Sequence, residues 1–301
     1  MDKVSAKSPG ITLNNGITMP ALGFGVYRIA PDHTANAVLT ALEAGYRLID
    51  TAAAYNNERG VGAAIAKNGV HRSEVFVTSK LWPTDYGYES ALKAFDKSLD
   101  KLGLDYVDMY LLHWPLSSDF SKTVGAYHAL ERELRNGRVR AIGVCNHNTV
   151  NLERLIAETD TVPAVNQVEL HPFFTQKELV QTHKRLGITT QAWSPLGGVN
   201  IYDAADPGKA RHILAHPVIT SIAERTGKTP GQVVLRWHIQ QGHSAIPKSI
   251  HPQRIAENMA IFDFELTPED IVAIGGLDTG IRGGDDPQGV TTETYPVTIE
   301  S

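Results

Sequence analysis

Short β-branched runs alternate with amphipathic helical patterns eight times along this chain, and that rhythm restricts the fold more than any other feature. The runs are Ala21–Phe24, Arg47–Thr51, Val75–Lys80, Val107–His113, Ala141–Val144, Ala164–Glu169, Thr189–Trp193 and Ser244–Pro247. Runs of this length and composition read as buried strands, and most are separated by one helical stretch. The third helical stretch shows its period plainly. Ala91, Leu92, Phe95, Leu99 and Leu102 recur at spacings of three and four and make one apolar face. Gly45, Gly69, Gly103, Gly137, Gly187 and Gly242 stand where helices should stop, as left-handed residues just past a helix do. Thr175-Gln-Lys-Glu178 reads as a capping box, and Thr229-Pro230 and Thr267-Pro268 each place an N-cap before a first-turn proline. Ahead of the repeats, Ile11-Thr12-Leu13 and Ile17-Thr18-Met19 flank Asn14-Asn15-Gly16, and the Asn-Gly pair predicts a hairpin with a type I′ turn.

Eight β/α units in roughly 250 residues predict an α/β fold, the (β/α)8 TIM barrel. We read residues 1–301 as a single barrel domain with an N-terminal β-hairpin and long loops at the C-terminal face of the strands. A doubly wound sheet would need a glycine-rich turn directly after its first strand. Gly23-Phe-Gly25 is too short for that turn, and Gly60-Val-Gly62 has no glycine at position 65 and follows no strand. The 301 residues are 42% hydrophobic and 20% charged, ordinary for a globular chain with a sizeable core. A net charge of −5, with both signs interspersed, gives no reason to expect nucleic acid or an anionic membrane surface. No apolar run approaches the roughly 20 residues needed to span a bilayer, and the first ten residues contain no apolar core of a signal peptide. Cys145 is the single cysteine, so no internal disulfide is available, and the chain fits a reducing cytoplasm. A monomer is expected. The twelve histidines follow no metal-ligand spacing, so no metal site is expected.

Asp50, Lys80 and His113 stand at the ends of the second, third and fourth runs, and Tyr55 lies one short turn beyond Asp50. A titratable side chain at the end of a buried strand is costly unless it is paired. In a barrel, the C-terminal ends of the strands carry the chemistry, so these four converge. A free phenol, with a pKa of about 10, is a poor donor near neutrality. An ammonium beside Tyr55 would lower that value, Lys80 can supply it, and Asp50 can hold Lys80 charged and oriented. His113 can donate to a substrate oxygen. The set suits reduction of a carbonyl, with hydride arriving at carbon while Tyr55 protonates oxygen. Any one of these residues alone is better read as a satisfied core group, with Asp50 and Lys80 as a buried ion pair. All four at strand ends favour a functional site. Two other roles compete. Lys80 as the Schiff-base amine of a barrel isomerase or aldolase would be held protonated and unreactive by Asp50. A nicotinamide-binding regulatory subunit would have no need of a tuned acid.

The motifs resemble those of the aldo-keto reductase family. Asp50-Thr-Ala-x-x-Tyr55, Lys80-Leu81-Trp82, His113-Trp114-Pro115 and Asn166-Gln167-x-Glu169-x-His171-Pro172 match in order, followed by Ile246-Pro247-Lys248-Ser249 with Arg254, Glu257 and Asn258. The resemblance covers essentially the whole chain. It is nearest to the bacterial members similar to 2,5-diketo-D-gluconate reductase and prostaglandin F synthase, in which Gln191-Ala-Trp193-x-Pro-Leu-Gly197 is typical. It implies NADPH-dependent reduction of aldehydes or ketones, with diketones and keto sugars among them and NADH as the alternative cofactor. It implies a catalytic tetrad of Asp50, Tyr55, Lys80 and His113. It places Asn146, beside Cys145, and Gln167 on the nicotinamide carboxamide and Trp193 on its ring. Ser194, Leu196 and Gly198 fall along the pyrophosphate. Lys248, Ser249 and Arg254 fall at the adenosine 2′-phosphate, and Glu257 and Asn258 at the adenine. A phosphate monoester suits a hydroxyl and two cations, one of them a planar fork. Three positions depart from the family pattern: Cys145 where serine is usual, His147 where an aromatic often stands, and His251 in place of a basic residue.

Tyr27, Trp82 and Trp114 can wall a substrate pocket, since apolar aromatic walls are common in small-molecule sites. Residues 197–211 read as a long loop that either folds over the cofactor or makes a plain surface excursion. The tail from Arg282 is rich in Gly, Asp and Pro, reads as irregular, and is a candidate edge of the pocket.

Overall fold

The computed structural model describes residues 8–198 and 210–300. It opens with an antiparallel hairpin of β1 (Gly10–Thr12) and β2 (Thr18–Pro20). The barrel units follow: β3 (Phe24–Gly25), α1 (Pro31–Glu43), β4 (Leu48–Asp50), α2 (Glu58–Lys67), β5 (Phe76–Leu81), α3 (Tyr88–Leu102), β6 (Val107–Leu112) and α4 (Phe120–Arg135). The second half holds β7 (Val139–Cys145), α5 (Thr149–Glu158), β8 (Val165–Glu169), α6 (Lys177–Leu186), β9 (Thr189–Trp193), α7 (Pro217–Thr226), α8 (Pro230–Gln240) and β10 (Ser244–Ala245). Two helices, α9 (Pro252–Met259) and α10 (Pro268–Gly275), and an irregular tail complete it.

Strands β3 to β10 pair in parallel in the order in which they occur, with helices between them, the arrangement of a (β/α)8 barrel. The first run behaves differently from its expected span of Ala21–Phe24. Residues 21–23 bond to β10 through a Leu22–Ala245 bridge and the Gly23 N–H on the Ala245 carbonyl, whereas Phe24 and Gly25 pair with β4. This run is the seam, so its hydrogen bonds are shared between two neighbours and its ladder to either is short. Side chains alternate between two surfaces. Leu48, Phe76, Met109, Leu111, Ala141, Val165 and Ile246 form an inner apolar cluster with Leu13 and Met19 of the hairpin. The opposite faces pack outward against the helices.

Two local expectations are corrected. The hairpin turn is not type I′, because only Gly16 has positive φ (83°) while Asn14 and Asn15 do not. Gly16 N–H bonds the Leu13 carbonyl and Leu13 N–H the Ile17 carbonyl, a three-residue loop with a glycine bulge. Both asparagine amides are drawn to the barrel floor: Asn14 to the Pro163 carbonyl at 3.1 Å and Asn15 to that of Arg140 at 3.0 Å. The capping box at Thr175 is also absent. The Thr175 hydroxyl bonds Asp278 instead, and α6 starts after Gln176 with no side-chain cap. The boxes at Thr229 and Thr267 form, and the six expected helix-stop glycines all have positive φ. Among the described residues no helix is long and apolar enough to cross a membrane.

Candidate active site

Asp50 ends β4, Lys80 lies near the end of β5, His113 follows β6, and Tyr55 closes a one-turn 3-10 helix, Ala53–Tyr55. Lys80 Nζ is 2.5 Å from Asp50 Oδ1, 2.9 Å from the Thr51 carbonyl and 3.4 Å from the Tyr55 hydroxyl. An ammonium has three hydrogens and here three acceptors. Lys80 and Asp50 are both buried. The Tyr55 ring meets His113 edge-on with centroids 5.6 Å apart. His113 Nδ1 is buried with no hydrogen-bond partner among the described residues, and the His113 carbonyl accepts from Asn146 Nδ2 at 3.1 Å. The four strand-end residues therefore meet in one place.

Burial dominates the electrostatics of this cluster. It raises the Asp50 carboxyl, although Lys80 and Gln167 pull it down. It drives the His113 imidazole well below its usual value, with Lys80 adding to the effect, so the ring is neutral. Tyr55 overturns the expectation of a lowered phenol. Burial, followed by the Asp50 charge, holds it well above its ordinary value. The ammonium is already matched by a carboxylate 2.5 Å away. Tyr55 therefore faces an ion pair rather than a bare cation, and its side chain is half-buried.

The residues assigned to the cofactor fall into two groups. Near the tetrad, Trp193 Nε1 donates to Asn146 Oδ1 at 2.8 Å, and Asn146 and Ser194 are left-handed, with φ of 61° and 46°. Gln167 Nε2 donates to Asp50 Oδ2 and to Gln191 Oε1, both at 2.7 Å. Cys145 points into the apolar barrel interior, and burial pushes its thiol up. Leu196 is half-buried and Gly198 buried. His147 lies inward, with Nδ1 2.8 Å from the Cys145 carbonyl. The second group lies at β10 and α9. Lys248 and Arg254 are exposed, Glu257 and Asn258 half-buried, and the Ser249 hydroxyl accepts from the His251 N–H at 3.1 Å. Lys248 is held below its ordinary pKa by partial burial and by the charge of Arg28. The charge of Arg28 thus acts on Lys248, and neighbouring cations favour an anion.

Trp82 and Trp114 are buried beside His113, with centroids at 5.0 and 6.3 Å, and among the described residues neither indole N–H has a partner. Tyr27 lies 4.9 Å from the Tyr55 ring. The tail closes this wall: Val290 and Tyr295 pack on the two tryptophans, with Tyr295 5.6 Å from Trp82. Its root is held by buried Glu169, which accepts from the Gly283 and Gly284 N–H groups at 2.8 and 3.0 Å and from His171 Nε2 at 3.0 Å. The tail from Arg282, expected as an edge of the pocket, reaches the tryptophans through Val290 and Tyr295, whereas Arg28 and Glu169 carry no expected role. Arg28 directly follows a pocket residue and Glu169 lies inside a quoted motif, but Tyr295 sits in a stretch with no periodicity at all. Residues 199–209 of the expected loop at 197–211 lie outside the described residues. Among the described residues no cluster of three metal-ligating side chains occurs.

Residues 20–279 match the model of the aldo/keto reductase family. Morphine 6-dehydrogenase of Pseudomonas putida is 53% identical over 293 residues, 97% of this chain and 99% of that protein. An aldo-keto reductase of Mycolicibacterium smegmatis is 50% identical over 281 residues, 93% of this chain and 98% of its own. Among solved structures, an aldo/keto reductase from Brucella melitensis is 48% identical with a TM-score of 0.84, covering 90% of this chain and 98% of that one. The aldo-keto reductase of Bombyx mori, solved in complex with NADP, is 36% identical with a TM-score of 0.88, covering 98% of this chain and 100% of that one.

Proposed function

Because the chain belongs to the aldo/keto reductase family, we propose that it reduces the carbonyl group of a small molecule with NADPH, and that Tyr55 delivers the proton. It is an oxidoreductase, and the reading takes residues 1–301 as one barrel domain. The observation that carries the proposed roles is the arrangement at Lys80. Its third hydrogen points at the Tyr55 oxygen, 3.4 Å away, so that oxygen accepts from Lys80 and its own proton is free to face a substrate. A neutral His113, with Nδ1 buried, carries its useful proton on Nε2. Two donors then meet at one carbonyl oxygen and stabilise the charge that develops on it.

The donor set suits the dinucleotide. Gln167 Oε1 and Asn146 Nδ2 are an acceptor and a donor, the complement of a carboxamide. Arg28, Lys248, Ser249 and Arg254 supply cations and a hydroxyl for phosphate groups. When bound, the cofactor supplies the hydride. The aromatic wall of Tyr27, Trp82, Trp114 and Tyr295 excludes water from the oxygen being protonated and favours an apolar substrate body. The Pseudomonas relative is named a morphine 6-dehydrogenase, for the oxidative direction. We extend that direction to this chain: Tyr55 first gives up its own proton to solvent, and as the phenolate, with Lys80 donating to its oxygen, it takes the proton of the hydroxyl while the hydride passes to NADP.

The test is loss of NADPH absorbance with a panel of aldehydes, ketones, diketones and keto sugars, and its gain with NADP and polycyclic secondary alcohols. Tyr55→Phe should lower turnover by about 10²–10⁴-fold, the usual contribution of a general acid, while NADPH binding stays near wild type. Near-normal turnover by a variant that still binds NADPH would remove Tyr55 from this role.

A further inference from the structure

Most of the barrel interior is filled with apolar side chains, yet one layer just under the tetrad is polar. Ser244 on β10, Gln191 on β9 and Gln167 on β8 stand at matching register, Gln167 opposite Gln191 and Gln191 opposite Ser244. Their side chains bond in sequence. Gln191 Nε2 donates to Ser244 Oγ at 3.0 Å, and Gln167 Nε2 donates to Gln191 Oε1 at 2.7 Å. The same Gln167 nitrogen donates across the barrel to Asp50 Oδ2 at 2.7 Å. All are nearly or fully out of solvent. Burying this many polar groups is costly unless each is satisfied, and the layers beneath are apolar.

The amide orientations follow from the partners. Turning Gln167 over would set its oxygen against the Asp50 carboxylate, acceptor against acceptor. Turning Gln191 over would set nitrogen against the Gln167 nitrogen. Both Gln167 hydrogens are therefore spent, one on Asp50 and one on Gln191, and only Oε1 is left. A carboxamide that meets this residue is met by an acceptor and by nothing else.

We propose that Gln191, anchored by Ser244, is a positioning residue. It locks the Gln167 amide so that Gln167 receives the nicotinamide carboxamide as an acceptor only, and it ties that seat to the Asp50–Lys80 pair. This rests on the NADPH-binding half of the function proposed above. Without the Gln191 oxygen, one Gln167 hydrogen has no partner, and the amide is held at Asp50 alone, at one point instead of two, so its oxygen is no longer fixed in direction. The effect belongs to the nicotinamide end of the cofactor and leaves the phosphate end, at Lys248 and Arg254, untouched.

The experiment compares two ligands on the full chain: NADPH, and adenosine 2′,5′-bisphosphate, which has the phosphate end but no carboxamide. Gln191→Met keeps the volume and removes the strong acceptor. It should raise the NADPH dissociation constant roughly three- to tenfold, the value of one neutral hydrogen bond, and leave that of the bisphosphate unchanged. Ser244→Ala, a smaller change, should move the same ratio in the same direction, and it serves if Gln191→Met fails to fold. NADPH affinity unchanged in a folded variant, or equal losses for both ligands, would overturn the inference. A wild-type chain that binds NADPH but reduces no carbonyl fails the functional proposal and leaves this comparison standing. A wild-type chain that binds only the bisphosphate overturns both.

Discussion

At Lys80 three donors meet three acceptors, and the chemistry of the neighbouring residues follows from that saturation. No hydrogen is left for another partner, which speaks against a Schiff-base role. Asp50 cancels the charge that would otherwise lower Tyr55, so the resting phenol keeps its proton. At the opposite end of the site, Arg254 is exposed in the first turn of α9, six residues after Lys248. There a guanidinium can engage a phosphate monoester through two parallel bonds. Arg254→Ala should weaken NADPH binding by about one to two powers of ten, the equivalent of roughly 1.5–3 kcal/mol for charge-assisted bonds. NADH, without the 2′-phosphate, should lose little. Dissociation constants of both cofactors at fixed ionic strength decide it, and equal losses would show that Arg254 does not read the phosphate.

Among the elements, the contact of α2 with α3 shows how packing overrides local preference. Gly62 lies in α2 where an added Cβ would come within 2.0 Å of the Leu102 carbonyl oxygen at the end of α3. Helix propensity alone predicts that Gly62→Ala stabilises the chain by up to about 1 kcal/mol. Backbone lies on both sides of this contact, so neither element can yield cheaply. The opposite sign is expected, a loss of roughly 1–3 kcal/mol from overpacking, read as a lower urea midpoint with unchanged slope. A midpoint at or above wild type would show that the helices part easily. Glycine at 62 thus serves helix packing, not a phosphate turn, in line with the rejection of Gly60-Val-Gly62 as a dinucleotide fingerprint. The Thr175 capping pattern misled for a related reason. Asp278, a hundred residues away in sequence, takes the hydroxyl that local pattern assigns to the helix start.

The molecule as a whole buries several histidines in neutral form. Burial lowers His147 and His243 from 6.5 to about 4, and His183 and His238 to about 3. Each binds its proton more weakly folded than unfolded. The stability they contribute is therefore complete above about pH 6.5 and is lost as pH falls toward 4 and then 3. At about pH 5 each forfeits on the order of 2 kcal/mol, from about 1.36 kcal/mol per pH unit below the unfolded value. The raised carboxyls of Asp50 and Glu58 act in the opposite direction, two groups against four imidazoles. Urea unfolding at about pH 7.5 and pH 5 should show a clear loss at the lower pH. Equal midpoints would mean that these imidazoles are hydrated or charged in the folded chain.

Read alone, the sequence determined the barrel, because strand and helix periods, helix stops and the order of the eight runs are local and repeat. It also determined which four residues meet, since each stands at a strand end and parallel strands carry their ends to one face. The boundary at the seam, the form of the hairpin turn and the fate of Thr175 depended on partners far along the chain. So did the electrostatics of Tyr55, whose phenol is raised by partial burial and by the Asp50 charge beside it, a combination no sequence pattern records. The Gln167–Gln191–Ser244 layer likewise exists only once three strands are in register. Tyr295 reaches the site through an irregular tail, and Arg28 through its nearness to Lys248, a cation of the same sign. Periodicity says nothing about either, and only the folded chain brings them to the pocket.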